Sequence, residues 1–599
     1  MKRIVYTVAC SLLLGLSACQ DSFLDLQPLD SKTDAVYFKT AAHFKEYATG
    51  FYNQLIGWQS RYGNIYSYMD VSSDLSSYFA YSADLARGEI KIGNSDSRWD
   101  NCYGNIRTVN ILLERAKSFS GSQDEIRQYL SEAYFFRAYS YFYLLQFFGG
   151  VPIVTTVPDI DSPELTAPRN SRYEVVNQIL SDLNQAIPSL PIEQNIADTD
   201  KGRISQWAAK AFKARVLLYE ATWRKYNGIS TDYEGSAGPA ADQVNDFLDE
   251  AITLSAEVMD KGGYELWDKK SDANIGTLSS RYLFRLEDAA SNPGGYTKSS
   301  NKEFILYSVY DKTLRPGALN LNQTLGKLKP SRKLMDMFLC TDGLPPHLSD
   351  KFAGYHTTGD EFKNRDYRMN AYLGTPGAST SLDNGLCGYG GAQKFLSASA
   401  NKEESANYPI IRLAEVYLIY AEAWYERHGE IGDAQLNKSI NKLRARAGIA
   451  ALTNKFIEDA NKKAAESVGT GEEIQAMTMQ GEIRRERAIE LYMEGFRFDD
   501  LKRWGIAETE LNASRCGMVV GNTDYVTSFR DQSGKATSLY APNKYVWGEE
   551  TVSTAAGMLP CVVIDSKDNY NFTKKNYLWP IPQQQINMNP SLKQNPGYK

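Results

Sequence analysis

The sequence predicts a mostly α-helical protein, with paired helices interrupted by loop-rich stretches and a few short strands. Three observations predict it. Apolar residues recur at steps of three and four in several separate segments, the period of one helix face. Each of these segments carries small residues or aromatics where a second helix would pack. The stretches between them are rich in Gly, Ser, Asn and Asp, which mark turns and loops.

The first helix carries Leu130, Tyr134, Ala138, Tyr141, Leu145 and Phe148 on one face. Gly149-Gly150 with Pro152 beyond ends it. In the second, Ile204, Ala208, Ala211, Ala214, Leu218 and Ala221 repeat the step with small residues that permit close helix approach. The third has two stripes: Leu413, Tyr417, Tyr420 and Trp424 on one, and Ala414, Leu418, Ala421 and Tyr425 on the other. Two apolar stripes imply burial on two sides. Alternating small and aromatic residues on paired helices is the packing logic of tetratricopeptide repeats (TPR). The spacing is irregular, so TPR-like pairs and a generic α bundle both remain open. Loops are expected at 223–243, 285–301 and 341–405, and strands at Glu303–Tyr310 and Leu559–Ile564.

The chain has 599 residues, more than one compact core usually holds. Hydrophobic residues make up 43% and charged residues 23%, which places it among globular proteins. Its net charge of −6, with no clustered Lys and Arg, argues against a nucleic-acid partner. Cys102, Cys340, Cys387, Cys516 and Cys561 are odd in number and scattered, which reads as buried free thiols rather than a disulfide framework.

The N-terminus carries a processing signal. Lys2 and Arg3 precede an apolar run from Ile4 to Leu16. The run is shorter than the ~20 residues a membrane span needs and reads as a secretory signal. Leu16-Ser17-Ala18-Cys19 resembles a bacterial lipobox, in which Cys19 would be acylated and would anchor the chain to outer-membrane lipid. By the same resemblance Gln20 permits the outer membrane, and the residues from Asp21 to Asp25 look like the tether of surface-exported lipoproteins. This gives a signal peptide at 1–18, a lipidated tether at 19–32, a helical N-terminal part at 33–240 and a C-terminal part at 241–599. The two parts are expected to pack as one unit, with loop-rich insertions at 285–301 and 341–405.

Catalytic signatures are absent. The four histidines form no H-x-x-x-H pair, and His347 and His356 share a loop without a completing ligand cluster. No nucleophile elbow, P-loop or dinucleotide fingerprint occurs. No pair of carboxylates is singled out for glycoside hydrolysis. The expectation is a non-enzyme with no metal and no cofactor; a secreted glycoside hydrolase is the alternative of another class.

Four ordered signatures resemble the SusD/RagB family. They are Glu132-Ala133 through Phe147-Phe148-Gly149-Gly150-Val151-Pro152; Gly202-Arg203-Ile204 through Leu217-Leu218-Tyr219; Tyr408-Pro409-Ile410-Ile411-Arg412 through Glu422-Ala423; and Arg485-Glu486-Arg487 through Arg503-Trp504-Gly505. The tail Tyr577-Leu578-Trp579-Pro580 fits as well. The resemblance implies TPR-like helix pairs packed against an irregular, loop-rich half. It also implies non-catalytic capture of a glycan at the cell surface and delivery to a SusC-like TonB-dependent transporter, with peptide uptake of the RagB kind as the alternative. Glu486, Arg487, Glu490, Glu494 and Arg497 lie at three- and four-residue spacings and read as ion pairs along one helix. Arg137 and Arg412 read as snorkelling or pairing near helix surfaces.

The family's ligand loops fall at Tyr66–Gly93 and just after the strand near Glu303. A sugar ring needs aromatic planes for stacking and charged or amide groups for hydrogen bonds. The first loop offers Asp70, Asp74, Tyr78, Tyr81 and Arg87, with Tyr78 and Tyr81 nearest to the tryptophans of starch-binding members. The second offers Tyr310, Lys312 and Arg315. The plainer reading of each is surface or core packing. Trp99 and Tyr103 are assigned to the core.

Overall fold

The structure is a computed structural model. It describes residues 37–58, 70–78, 85–229, 233, 236, 238–319, 321–326, 328–355, 358–373, 389, 391–400, 402–467, 476–519, 546–554 and 557–598. The signal, Cys19, Tyr81, His356 and Cys387 lie outside these residues, and of Tyr78 only the backbone is described.

Among the described residues, six α-helices build the N-terminal half: α1 (Ala41–Phe51), α2 (Ser97–Ala116), α3 (Gln123–Phe148), α4 (Arg172–Ala186), α5 (Gln206–Asn227) and α6 (Val244–Lys261). Their starts follow local chemistry. Asp96, Ser122, Ser171 and Ser205 each accept a backbone N–H of the first turn, and Ser171 with Glu174 closes a reciprocal capping box. Helix α3 ends at Gly149, whose φ of 72° suits glycine. A Cβ on Gly150 would lie 2.3 Å from the Asn170 carbonyl oxygen, so the chain turns back here only with glycine.

Successive helices pack as pairs: α2 on α3, α3 on α4, α5 on α6. Between Ser131 and Phe148, α3 is buried except at Tyr134 and Gln146. A helix buried nearly all round lies inside a layered stack rather than at its surface.

The C-terminal half alternates short helices with strands. β1 (Ser76–Tyr78) pairs antiparallel with β3 (Leu328–Pro330), and β2 (Phe304–Ser308) with β4 (Tyr408–Arg412). β5 (Arg515–Val519), β6 (Val546–Thr554) and β7 (Gly557–Asp565) form a sheet in the order β5-β7-β6. The helices used below are α7 (Arg332–Met337), α8 (Tyr367–Leu373), α9 (Leu413–His428), α10 (Ile440–Ala447), α11 (Met479–Glu490) and α12 (Arg497–Arg503). Helix α9 packs against α6, α11 and α5, joining the halves. One apolar cluster runs from Phe38 to Tyr598. No described helix is long and apolar enough to cross a membrane.

The structure bears out the mostly α class and corrects details. Residues 223–227, expected in a loop, complete α5. The stretch 341–405 contains α8. Cys102, Cys340, Cys516 and Cys561 are unbridged. Trp99 is buried, while Tyr103 is half-buried and donates its hydroxyl to the Pro152 carbonyl at 2.8 Å.

The charged C-terminal signature is not a set of pairs along one helix. Helix α11 stops at Glu490, and Met493 takes a left-handed φ of 66°, so Glu494 and Arg497 do not continue its face. The carboxylates turn inward instead. Glu490 accepts from Arg412 (2.6 Å), Arg446 (2.5 Å) and Arg368 (2.8 Å), all buried. Glu494 accepts from Arg412 (2.7 Å) and Lys394 (2.6 Å), and Glu303 accepts from Arg412 and Arg446. Arg412 sits at the end of β4 with 1% of its surface exposed, so it does not snorkel. Arg137 is buried too, with Asp182 at 2.6 Å.

Candidate functional site

A cavity of about 630 Å³ opens where α7, α11, α12 and β5 converge. That size falls in the range of small-ligand sites. The elements are fastened together at its edge. Ser331 caps α7 by accepting from Leu334 N–H, donates its hydroxyl to the Asp74 carbonyl at 2.7 Å, and donates its own N–H to Leu75. The β1–β3 pair therefore holds the start of α7 against the segment carrying Asp74.

Charge dominates the lining. Arg497 donates from Nε and Nη2 to the Asp74 carboxylate at 2.8 and 2.7 Å, and Lys333 Nζ lies 3.0 Å away. Burial pushes the Asp74 carboxyl up, yet Arg497 and Lys333 outweigh it and hold the group well below the usual carboxylate range. Lys333 also meets Glu510. Burial draws the Lys333 ammonium below its ordinary value, with Asp74 opposing. Arg332 pairs with Asp336 at 2.8 Å and with Glu361, and donates to the Tyr389 hydroxyl at 2.6 Å. Burial raises the Asp336 carboxyl while Arg332 opposes it. Arg485 donates to Glu482 at 3.0 Å.

Apolar and aromatic surface completes the wall. Trp504 and Tyr355 line it, with Pro345, Pro346 and His347 on the loop after α7. Burial lowers the His347 imidazole, which favours its neutral form. Arg484 lies over the Trp504 ring at 4.6 Å. The arrangement offers donors and acceptors around a partly apolar recess, the chemistry that holds a polar, ring-shaped ligand.

Among the described residues, the sequence-predicted ones are spread over several surroundings. Asp74 reaches the cavity. Asp70 is fully buried behind it and accepts the Met493 N–H. Arg87 pairs with Asp565 at 2.6 Å, beside Tyr570. Tyr310 is buried against Trp58 and lies under the Arg315 guanidinium at 4.8 Å. Arg315 lines a separate, smaller recess with Lys45 and Asp200. Lys312 is exposed and pairs with Glu403 at 3.1 Å. Tyr78 lies in β1 opposite Leu328.

Sequence reasoning missed Arg332, Lys333, Arg484, Arg485 and Arg515. One signal was available. Arg332 and Lys333 occupy the first turn of α7, where the helix dipole disfavours cations. Such a local inconsistency marks a place where another demand overrides helix chemistry.

Comparison with known proteins agrees with this architecture. Residues 387–598 match the SusD family, and residues 22–218 match a family described as starch-binding associating with outer membrane. The chain belongs to the SusD family. Among its relatives, a SusD-like protein of Bacteroides ovatus is 24% identical, with 100% of this chain and 98% of the relative aligned. A SusD-like carbohydrate-binding protein of Bacteroides fragilis superposes with a TM-score of 0.66 at 22% identity, covering 93% of this chain and 99% of that one. A laminarin-binding SusD-like protein superposes with a TM-score of 0.56 at 20% identity, covering 94% and 100%.

Proposed function

We propose that this chain captures an oligo- or polysaccharide at the bacterial surface without cleaving it, and passes it to a SusC-like TonB-dependent transporter. Acylated Cys19 would hold it on the outer membrane. The observation that carries the reading is the cavity itself: an aromatic and polar recess of ligand size, on a fold shared with carbohydrate-binding SusD-like proteins. The family description associating with outer membrane supports the location.

The lining supports binding over hydrolysis. A glycosidase needs one carboxyl with a raised pKa to give a proton and a second, ionised one placed across the bond to attack or to activate water. Here Asp74, Asp336, Glu482 and Glu510 each face a cation: Arg497, Arg332, Arg485 and Lys333 respectively. Asp74, Glu482 and Glu510 paired this way support a binding role, and Asp336, raised by burial, has its own partner in Arg332.

Calorimetric titration of the purified chain against panels of glycans and peptides tests the reading. Saturable binding of a glycan, recovered at its original length by chromatography, is expected. Binding of peptides alone would favour the RagB kind of uptake, and shortened products would mark a hydrolase. Replacing Tyr78 and Tyr81 with Ala is expected to weaken glycan binding while the melt stays nearly unchanged. A collapsed melt would assign both to packing.

A further inference from the structure

We propose that the cavity selects acidic glycans, those bearing uronate carboxylates or sulfate esters, over neutral ones. The inference rests on the glycan-binding reading above and adds the ligand's charge.

The chain as a whole is acidic, with a net charge of −6, yet this cavity reverses the sign. Among the described residues lining it, six cations (Arg332, Lys333, Arg484, Arg485, Arg497 and Arg515) face four carboxylates. Four of those cations are neutralised locally by the pairs already described. Arg515 has no described carboxylate partner, and Arg484 has only a long pair, to a carboxylate it shares with Lys225.

Arg515 is 3% exposed. Its Nη1 and Nη2 donate to the backbone carbonyls of Ala513 (2.6 Å) and Leu511 (3.2 Å), and its guanidinium lies over Tyr570 at 4.5 Å. Its Nε has no hydrogen-bond partner, and no described carboxylate forms an ion pair with it. Arg484 stands between the Trp504 and Tyr226 rings, at 4.6 and 5.0 Å, with Nε and Nη2 unbonded. Its nearest carboxylate, Glu426, is 3.6 Å away. Glu426 already accepts from Lys225 at 2.7 Å and from Tyr226 at 2.8 Å.

An uncompensated guanidinium held out of water is costly unless an anion meets it. Arg515, unpaired among the described residues, and Arg484, weakly paired, on one cavity wall suit a sugar ring that carries its own negative charge. Arg matches both carboxylate and sulfate through paired N–H donors.

The test titrates the full-length mature chain with matched pairs: oligogalacturonate against its methyl ester, and a sulfated galactan oligosaccharide against its desulfated form. A broad set of neutral and acidic polysaccharides and acidic peptides is run alongside. The acidic member of at least one pair is expected to bind roughly tenfold or more tightly than its neutral partner, with affinity falling as salt rises from about 50 to about 500 mM. The pair that responds separates carboxylate from sulfate. Arg484→Gln is expected to shrink the acidic preference with an unchanged melt; Arg515→Gln supplies the same readout if it folds. Retention of neutral glycans only, with loss on Arg485→Ala, would overturn the charge preference and leave glycan capture standing. Retention of acidic peptides and no glycan would overturn both.

Discussion

Asp70 shows how one buried carboxyl fixes a turn. It is fully buried, and burial raises its pKa to about 7, with the Met493 N–H opposing. That hydrogen bond holds Met493 in its left-handed conformation, uncommon for a residue with a side chain. The raised pKa sets a pH dependence. Below the unfolded-state value near 3.8 the carboxyl is protonated in both states. As pH climbs toward 7, the unfolded chain loses this proton while the folded chain keeps it, so stability falls with rising pH over that window. The whole effect is on the order of 4 kcal/mol at most. Asp70→Asn cannot ionise, so its stability relative to wild type should rise between pH 4 and pH 8. Thermal melts at both pH values check this, and a constant difference would contradict it. Trp504 is buried, donates its indole N–H to Glu422 at 2.7 Å and lies under Arg484 and Arg503, so Trp504→Ala should destabilise the fold by about 3–5 kcal/mol. Urea titration reads this directly, and a loss under about 1 kcal/mol would contradict it.

Among the elements, the turn after α11 matters most. Its carboxylates reach β4, α8 and α10 through buried arginines, so three elements distant in sequence share one charge network. Removing one partner from such a network leaves the others charged and dry, which costs about 3–5 kcal/mol. Glu490→Gln should destabilise the fold by about that much in urea titration; a loss under about 1 kcal/mol would show that the arginines find other partners. This element also shows what sequence could and could not reveal. The spacing of Glu486, Glu490 and Glu494 suggested pairs along a helix, because three- and four-residue steps are all a linear reading can measure. The true partners, Arg368, Arg412 and Arg446, lie tens of residues away and meet only through the tertiary fold. Helices α3, α5 and α9 were legible because their apolar stripes repeat within a few turns. Helix α8 was hidden in a stretch rich in Gly, Ser and Asn, where it is short and packing rather than propensity holds it.

At the scale of the molecule, two halves of different texture meet along α9, and the cavity forms in the irregular half where strands β1 and β3 fasten α7. The family and the mostly α class were readable from ordered signatures spread along the chain. The cavity was not, because Asp74, Arg332, Arg485, Arg497 and Arg515 come from five separate segments that no local pattern links. Among the described side chains expected at a ligand, Asp74 reaches this wall, while Asp70 and Tyr310 are packed inside. A helical stack carrying a charged recess suits the proposed capture of a glycan.

Titrating wild type and Arg485→Ala with a glycan that binds wild type tests whether this cavity holds the ligand. Arg485 is 24% exposed at the cavity wall, so its loss should spare the fold. Saturable binding to wild type, at least roughly tenfold weaker binding to the variant and coincident melts are expected. Equal affinity in the two proteins would contradict that placement.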